Sequence, residues 1–416
     1  MRDTHGRLPP DSESKLSRNA QCLSADAARK RNPKRTRAFP FLMRTPGRAS
    51  VCRQLAVLLM LLATAVACSA GGSGTGATTS PSHTSAPASP QASRSAAASA
   101  SGPSSPVPAT GSFGLLVSLP TGPNYTVSLV GVDGKVVASA QASTPPAAPC
   151  PVPEPVSTSD SRVYFMDAMG VVRFLSPNGN TGRATTVPVG NARRSMFAVS
   201  PDDQRIAVIV EDFTAGGNAA TKLYVEDLNG GGHHLDLFSE AGTYTLWPSG
   251  WHGPNNLVVA KVPACSGPSC CVQLELHVVD PATAVRRFTI GGPTCQIAGS
   301  PSPAGAVCEN TADFTRATIL NWTGGSVRSF PIHGLAPAFL SPDGSLVALP
   351  NIDAGTTTIN GANGSLAMIA CAWIDSSHLL AGGDAQNQPR VGDVTSGNVV
   401  PVTAQGYCVG RLPGGL

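Results

Sequence analysis

The sequence predicts an all-β fold, a seven-bladed β-propeller closed by its C-terminal strand, and three observations predict it. From Gly111 onward, short runs of Val, Leu, Ile, Tyr and Phe are punctuated by Gly, Pro, Asn and Asp, and no amphipathic helical stretch competes. Six of those runs follow a similar turn, and a second hairpin series recurs seven times between them. The 306 residues from Gly111 to Leu416 divide by seven into a period near 44, the length of a four-stranded blade.

Residues 1–67 read as an address. Leu55 to Ala67 is an apolar run of 13 residues, shorter than the 18 or more that a spanning helix needs, and Arg44, Arg48 and Arg53 supply a positive flank. A buried helix of a soluble domain would find nothing to pack on in the low-complexity segment that follows. Ala65, Val66 and Ala67 directly before Cys68 resemble a bacterial lipobox. The resemblance implies a secreted lipoprotein, lipidated at Cys68, with Met43 as the expected initiator.

Residues 68–110 form the second part. Ser69 to Thr110 consists almost wholly of Ser, Ala, Gly, Thr and Pro, with Arg94 its one Lys, Arg, Asp or Glu. Such a segment buries too little surface to offset its chain entropy. A flexible tether is expected, with a coil reach of roughly 30 to 40 Å.

Cleavage before Cys68 changes the electrostatics. The chain carries a formal charge of +4, but residues 1–67 hold 13 Lys and Arg against 4 Asp and Glu. That leaves 16 basic and 21 acidic residues, a net charge of about −5. The run Arg29 to Arg37 departs with the leader, and a nucleic-acid partner is not expected. Eight cysteines remain beside Cys68, an even number that fits disulfides in an exported chain. CxxC pairs and matching His spacings are absent, so neither a metal nor a cofactor is expected.

Residues 111–416 hold the repeats. The first turn series is Thr158 to Arg162, Ser200 to Arg205, His252 to Asn256, Ser300 to Gly305, Ser341 to Ser345 and Asp375 to His378. Each precedes an apolar run: RVYFM, RIAVIV, NLVVAKV, GAVCE, SLVAL and HLLAG. Ser or Asp first, Pro second, then Asp or Gly suits a tight turn. The second series centres on Asp133, Asn178, Asn229, Pro281, Gly324, Ala362 and Ser396. Seven outer hairpins against six inner ones leave the first blade without its innermost strand. The segment Gly406 to Arg411 is a strand without a blade, and pairing the two closes the ring.

SPDDQRIAVIV and SPDGSLVAL resemble the repeats of TolB-like and WD40-like propellers. The resemblance extends over residues 111–416 and specifies fold more than activity. The Ala, Gly and Pro content and the Ser-Ala-Pro tether suggest an actinobacterial source. In such propellers ligands usually meet the face formed by the loops between second and third strands together with the inter-blade loops. Here those loops carry Asp167, Glu211 and Asp212, Glu309 and Asp313, Asp353, and Asp384. Asp167, Asp212, Glu309, Asp353 and Asp384 form a possible ligand rim, a carboxylate ring suited to a cation or a basic segment; the competing reading is that each caps its own turn.

Cysteine positions give pairing expectations. Cys295 and Cys308 flank one inner hairpin and should pair. Cys265 should pair with Cys270 or Cys271 in one long loop, and Cys150 with Cys408 should staple the ring, with Cys371 on a neighbouring innermost strand. His233 and His234 follow a glycine turn and are read as solvated; Trp251 and Trp373 should pack between blades. No GxSxG, HExxH or phosphate-binding loop is present. A non-catalytic, lipid-anchored binding or scaffold module on the outer face of the cytoplasmic membrane is expected, for a protein, peptide or envelope ligand. The alternative is an envelope enzyme, glycan-active or lyase-type, working through the rim carboxylates.

Overall fold

The structure is a computed structural model that describes residues 106–118, 122–148, 152–213, 219–264, 273–334, 337–362 and 364–416. Cys68, Cys150, Cys265, Cys270 and Cys271 lie outside the described residues, as do the leader and almost all of the tether. Every regular element is a strand, and the strands form seven four-stranded antiparallel sheets. These are the seven blades.

Two-sided burial explains the apolar runs. In the second strand of blade 2, Val163–Met166, Val163 and Phe165 enter the cluster shared with blade 1, whereas Tyr164 and Met166 enter the one shared with blade 3. The second strand of blade 3, Arg205–Asp212, splits Ile206, Val208 and Val210 from Ala207 and Ile209 in the same way. Side chains alternate between faces of a strand, so a strand covered on both faces is apolar at every position. Among the described residues seven such clusters occur, one in each seam.

The inner turns repeat a polar device. Ser200 and Ser341 are fully buried. Each hydroxyl accepts the N–H of the residue at the entry to the next strand, Arg205 or Leu346, at 2.9 Å, and donates to the turn aspartate, Asp202 or Asp343, at 2.6 Å. Asp375 does this work in blade 7, where its Oδ1 accepts the N–H groups of Ser377 and His378. Gly344 takes φ 77° in the Ser341 turn, and Asp203 holds φ 58° at the equivalent place in the Ser200 turn. Asp203 is fixed there by Ser161 Oγ and Tyr164 Oη, each donating at 2.6 Å from blade 2.

The ring closes where the sequence requires. Tyr407–Leu412 is the innermost strand of blade 1 and pairs antiparallel with Phe113–Val117, from Phe113 opposite Leu412 to Val117 opposite Tyr407. Asn124–Val130 and Val136–Ser143 complete that blade. The seam to blade 7 is then packed like the others, by Leu116, Val130, Ile374, Leu380, Val391 and Val402. Innermost strands are short in blades 2, 6 and 7: Val156–Thr158, Phe339–Leu340 and Ala372–Trp373. Little sheet is needed on the axis because the second strands carry the seams.

Cys295 and Cys308 pair as expected, on the first two strands of blade 5. Cys408 does not pair with Cys150: its partner is Cys371, 37 residues earlier. The correction follows from closure, because Cys408 in blade 1 faces the strand entry of blade 7, whose Cys371 N–H bonds the Leu380 carbonyl. This bond fastens the last blade to the first.

A disulfide restricts the unfolded chain more when it spans more residues, so the two bonds should differ. With separations of 37 and 13, replacing Cys371 and Cys408 together by Ala should cost about 4 kcal/mol, against about 3 kcal/mol for Cys295 and Cys308. Urea denaturation of the two double variants checks the order, and a reversed order contradicts it.

Candidate functional site

The innermost strands surround a cavity of about 400 Å³ on the propeller axis. One end opens toward the loops between second and third strands. The other end has a floor, made by residues 413–416 running beneath the inner hairpins. Gly414 N–H donates to Ser159 O and Leu416 N–H to Trp251 O, both at 2.7 Å, while His252 Nδ1 lies 2.6 Å from Leu416 O. A Cβ at Gly414 would meet the Thr158 backbone at about 2.5 Å, so only glycine lets the segment approach. Sequence reasoning stopped at the closing strand and missed this floor; its signal was the Pro-Gly-Gly that follows.

The walls combine apolar and polar groups. Phe197, Phe339, Leu340 and Val409 border the cavity beside Trp247, Ser249, Gln273 and Ser300. Trp251, Trp322 and Trp373 each donate their indole N–H to a backbone carbonyl, of Ala198, of Ser302 and Pro303, and of Phe339. Trp251 and Trp373 pack in seams, as expected of them. Trp247 differs: it borders the cavity, half-buried. The Gln273 Oε1 is buried with no hydrogen-bond partner.

Two charged residues border the cavity, at opposite ends of the wall. Glu154 precedes the innermost strand of blade 2 on the open side, and Arg411 lies near the floor. Glu154 is accessible to solvent because it borders the cavity, yet desolvation by the protein around it raises its carboxyl above the usual range. Desolvation likewise lowers the Arg411 pKa, against a smaller opposing pull from Asp160.

All five rim acids sit on or beside the connections between second and third strands, and none borders the cavity. Asp167 Oδ1 accepts the N–H groups of Met169 and Val171 at 3.0 Å, and its Oδ2 meets Arg173 Nε at 3.3 Å. Asp384 accepts from Gln386 and Asn387 at 2.8 and 2.7 Å, and those bonds, Asn387's first, hold its pKa below the ordinary value. Asp212 pairs with Arg193 at 3.1 Å. Glu309 is buried and Asp353 exposed. Among the described residues no three His, Cys, Asp or Glu side chains are grouped as a metal site. His233 pairs with Asp227, and His234 lies between Glu226 and Asp236.

A buried polar group between blades 3 and 4 was not legible in the chain. Arg194, Glu211 and Thr221 stand opposite one another on adjacent strands of blade 3, and Thr245 reaches them from blade 4. Thr245 Oγ1 donates to Glu211 Oε1 and lies 2.9 Å from Thr221 Oγ1. Burial pushes the Glu211 carboxyl up to about 7, although the Thr245 bond pulls the other way. The Arg194 guanidinium is desolvated as well, and its Nη1 has no hydrogen-bond partner.

The Glu211 shift has a definite sign. Its folded pKa of about 7 exceeds the ordinary 4.5, so the fold favours the protonated acid. Stability is undiminished below about pH 4.5, falls as pH rises, and carries the full penalty above about pH 7, on the order of 3 kcal/mol. Glu211→Gln keeps an acceptor for Thr245 and should flatten that slope, gaining about 2 to 3 kcal/mol at pH 8 and little at pH 4. Urea denaturation of both proteins at the two pH values measures it; equal slopes for both would refute the assignment.

No family model matches the chain, and no curated protein matches it. Among solved structures it is similar to a dihydro-heme d1 dehydrogenase, NirN, in complex with DHE, at 16% identity and a TM-score of 0.42, over 72% of this chain and 66% of that one. The chain thus spans just under two thirds of that protein's length. It is also similar to an oligogalacturonate lyase from Vibrio parahaemolyticus, at 10% identity and a TM-score of 0.36, over 70% of this chain and 77% of that one. What those names say of activity is said of those proteins alone.

Proposed function

We propose that this protein is a lipid-anchored, extracytoplasmic binding or scaffold module, held at the outer face of a bacterial cytoplasmic membrane through Cys68, that presents its loop face to a protein or peptide of the envelope. One observation carries the reading. The face formed by the connections into the innermost strands and between second and third strands exposes Met169, Tyr244, Ile352, Ile369 and Tyr407, large apolar side chains from several blades. Exposed apolar side chains on fixed loops suit protein association.

The loop acids support the same reading. Asp167 and Asp384 each use Oδ1 to accept two backbone N–H groups of their own turns, which stiffens the surface that carries the apolar residues. Acid and base catalysis by two carboxylates requires a pair converging on one pocket. Glu154 is the carboxylate that borders the cavity, so the enzyme alternative is the weaker one.

Two measurements test the proposal on the full chain. Cys68→Ser should release the protein from membranes and abolish incorporation of an alkyne-labelled fatty acid; an unlabelled wild type overturns the anchor. Met169→Asp combined with Ile352→Asp should weaken crosslinking to its envelope partner at least about tenfold, the order of effect expected for lost apolar anchors. Indistinguishable crosslinking by both proteins overturns the use of this face.

A further inference from the structure

The central cavity contains a cation whose donors are largely uncommitted. A guanidinium offers five N–H donors. Arg411 makes one long hydrogen bond, from Nη2 to the Gly415 carbonyl at 3.5 Å, and Asp160 acts on it only through space. Removing such a group from water costs free energy unless an anion or acceptor replaces the lost hydration. Arg411 borders a cavity of about 400 Å³, within the range that small ligands occupy.

The surroundings narrow the anion. Among the side chains of the described residues bordering the cavity, Arg411 is the one cation and Glu154 the one anion. With one guanidinium and one carboxyl already bordering the cavity, a dianion adds twice the uncompensated negative charge that a monoanion does. Glu154 precedes the innermost strand of blade 2 on the open side and Arg411 lies near the floor, so the two stand toward opposite ends of the cavity. Arg geometry matches a planar carboxylate through two parallel N–H bonds. Phe197, Phe339, Leu340, Val409 and the half-buried Trp247 offer an apolar body its walls.

We infer that the axial cavity is a binding site for a small organic carboxylate, its carboxylate on Arg411 and its apolar body along Trp247. The ligand enters from the loop face, since residues 413–416 close the other end. This goes beyond the binding-module reading and does not depend on it: the Met169 and Ile352 variants leave the site intact.

Calorimetric titration of the full chain at neutral pH with benzoate and hexanoate, and with their uncharged counterparts benzamide and hexanamide, tests it; inorganic phosphate serves as the dianionic control. Saturable one-to-one binding of at least one carboxylate is expected, at least about tenfold tighter than its amide, as a charge-assisted bidentate pair implies. Arg411→Met should lower that affinity at least about tenfold with an unchanged circular dichroism spectrum. If that variant does not fold, the wild-type contrast between acid and amide decides, with Trp247→Ala expected to weaken carboxylate binding. Absence of binding by both acids, equal binding of the amides, tighter binding of phosphate, or undiminished affinity in folded Arg411→Met each overturns the inference.

Discussion

Two-sided burial of the second strand in each blade is the constraint on which this protein depends. A strand such as Arg205–Asp212 has no solvent face, so its alternate residues belong to different seams, Ile206 and Val208 to one and Ala207 and Ile209 to the next. Each apolar side chain so buried contributes about 1.5 to 3 kcal/mol relative to exposure. The ring therefore has to close. With the last seam open, Leu116 and Leu380 would lose their cover, and an unpaired edge would face solvent at Phe113–Val117. The strand Tyr407–Leu412 and the Cys371–Cys408 bond meet that requirement together, one through pairing and the other through a covalent link.

The inner turns work under the same constraint from the polar side. Where a strand enters a seam directly from a turn, water reaches few of the turn's backbone groups. Ser200 and Ser341, fully buried, supply the missing acceptors, and their aspartates supply the acceptors for the hydroxyls in turn. The Ser-Pro-Asp signature is thus a device for satisfying hydrogen bonds at a dry strand entry. Asp203 shows how far it extends: a non-glycine residue holds a left-handed conformation because two hydroxyls of the preceding blade bind it.

These devices are local in sequence, which is why the blade repeat, the closing strand and the Cys295–Cys308 pair were legible there. What the chain concealed depends on neighbours far apart along it. Cys371 and Cys408 meet only because the ring closes between blades 7 and 1, and the eight cysteines of the repeat region offered no local reason to prefer that pair to Cys150 and Cys408. Glu211 was legible as a loop acid. That it is buried against the next blade, and is pushed up to about 7 by that burial, follows from its position on the inward side of a seam. The innermost strands of blades 2, 6 and 7 were too short to carry a pattern at all.

The same packing decides where polar chemistry is left over. Seam interiors are apolar, and the loop acids Asp167 and Asp384 are consumed by their own turns. The Glu211 and Arg194 group lies inside a seam with Arg194 almost wholly buried, which leaves a ligand no approach. The axis remains, where the innermost strands border a cavity instead of a neighbouring sheet. Arg411 is there because the closing strand brings it there: Gly114 opposite it has no side chain, and a Cβ at that glycine would press on Leu380 and Ile374 of blade 7. The strand that completes the ring therefore also supplies the cavity with its one cation, so closure and the proposed binding site are consequences of a single segment.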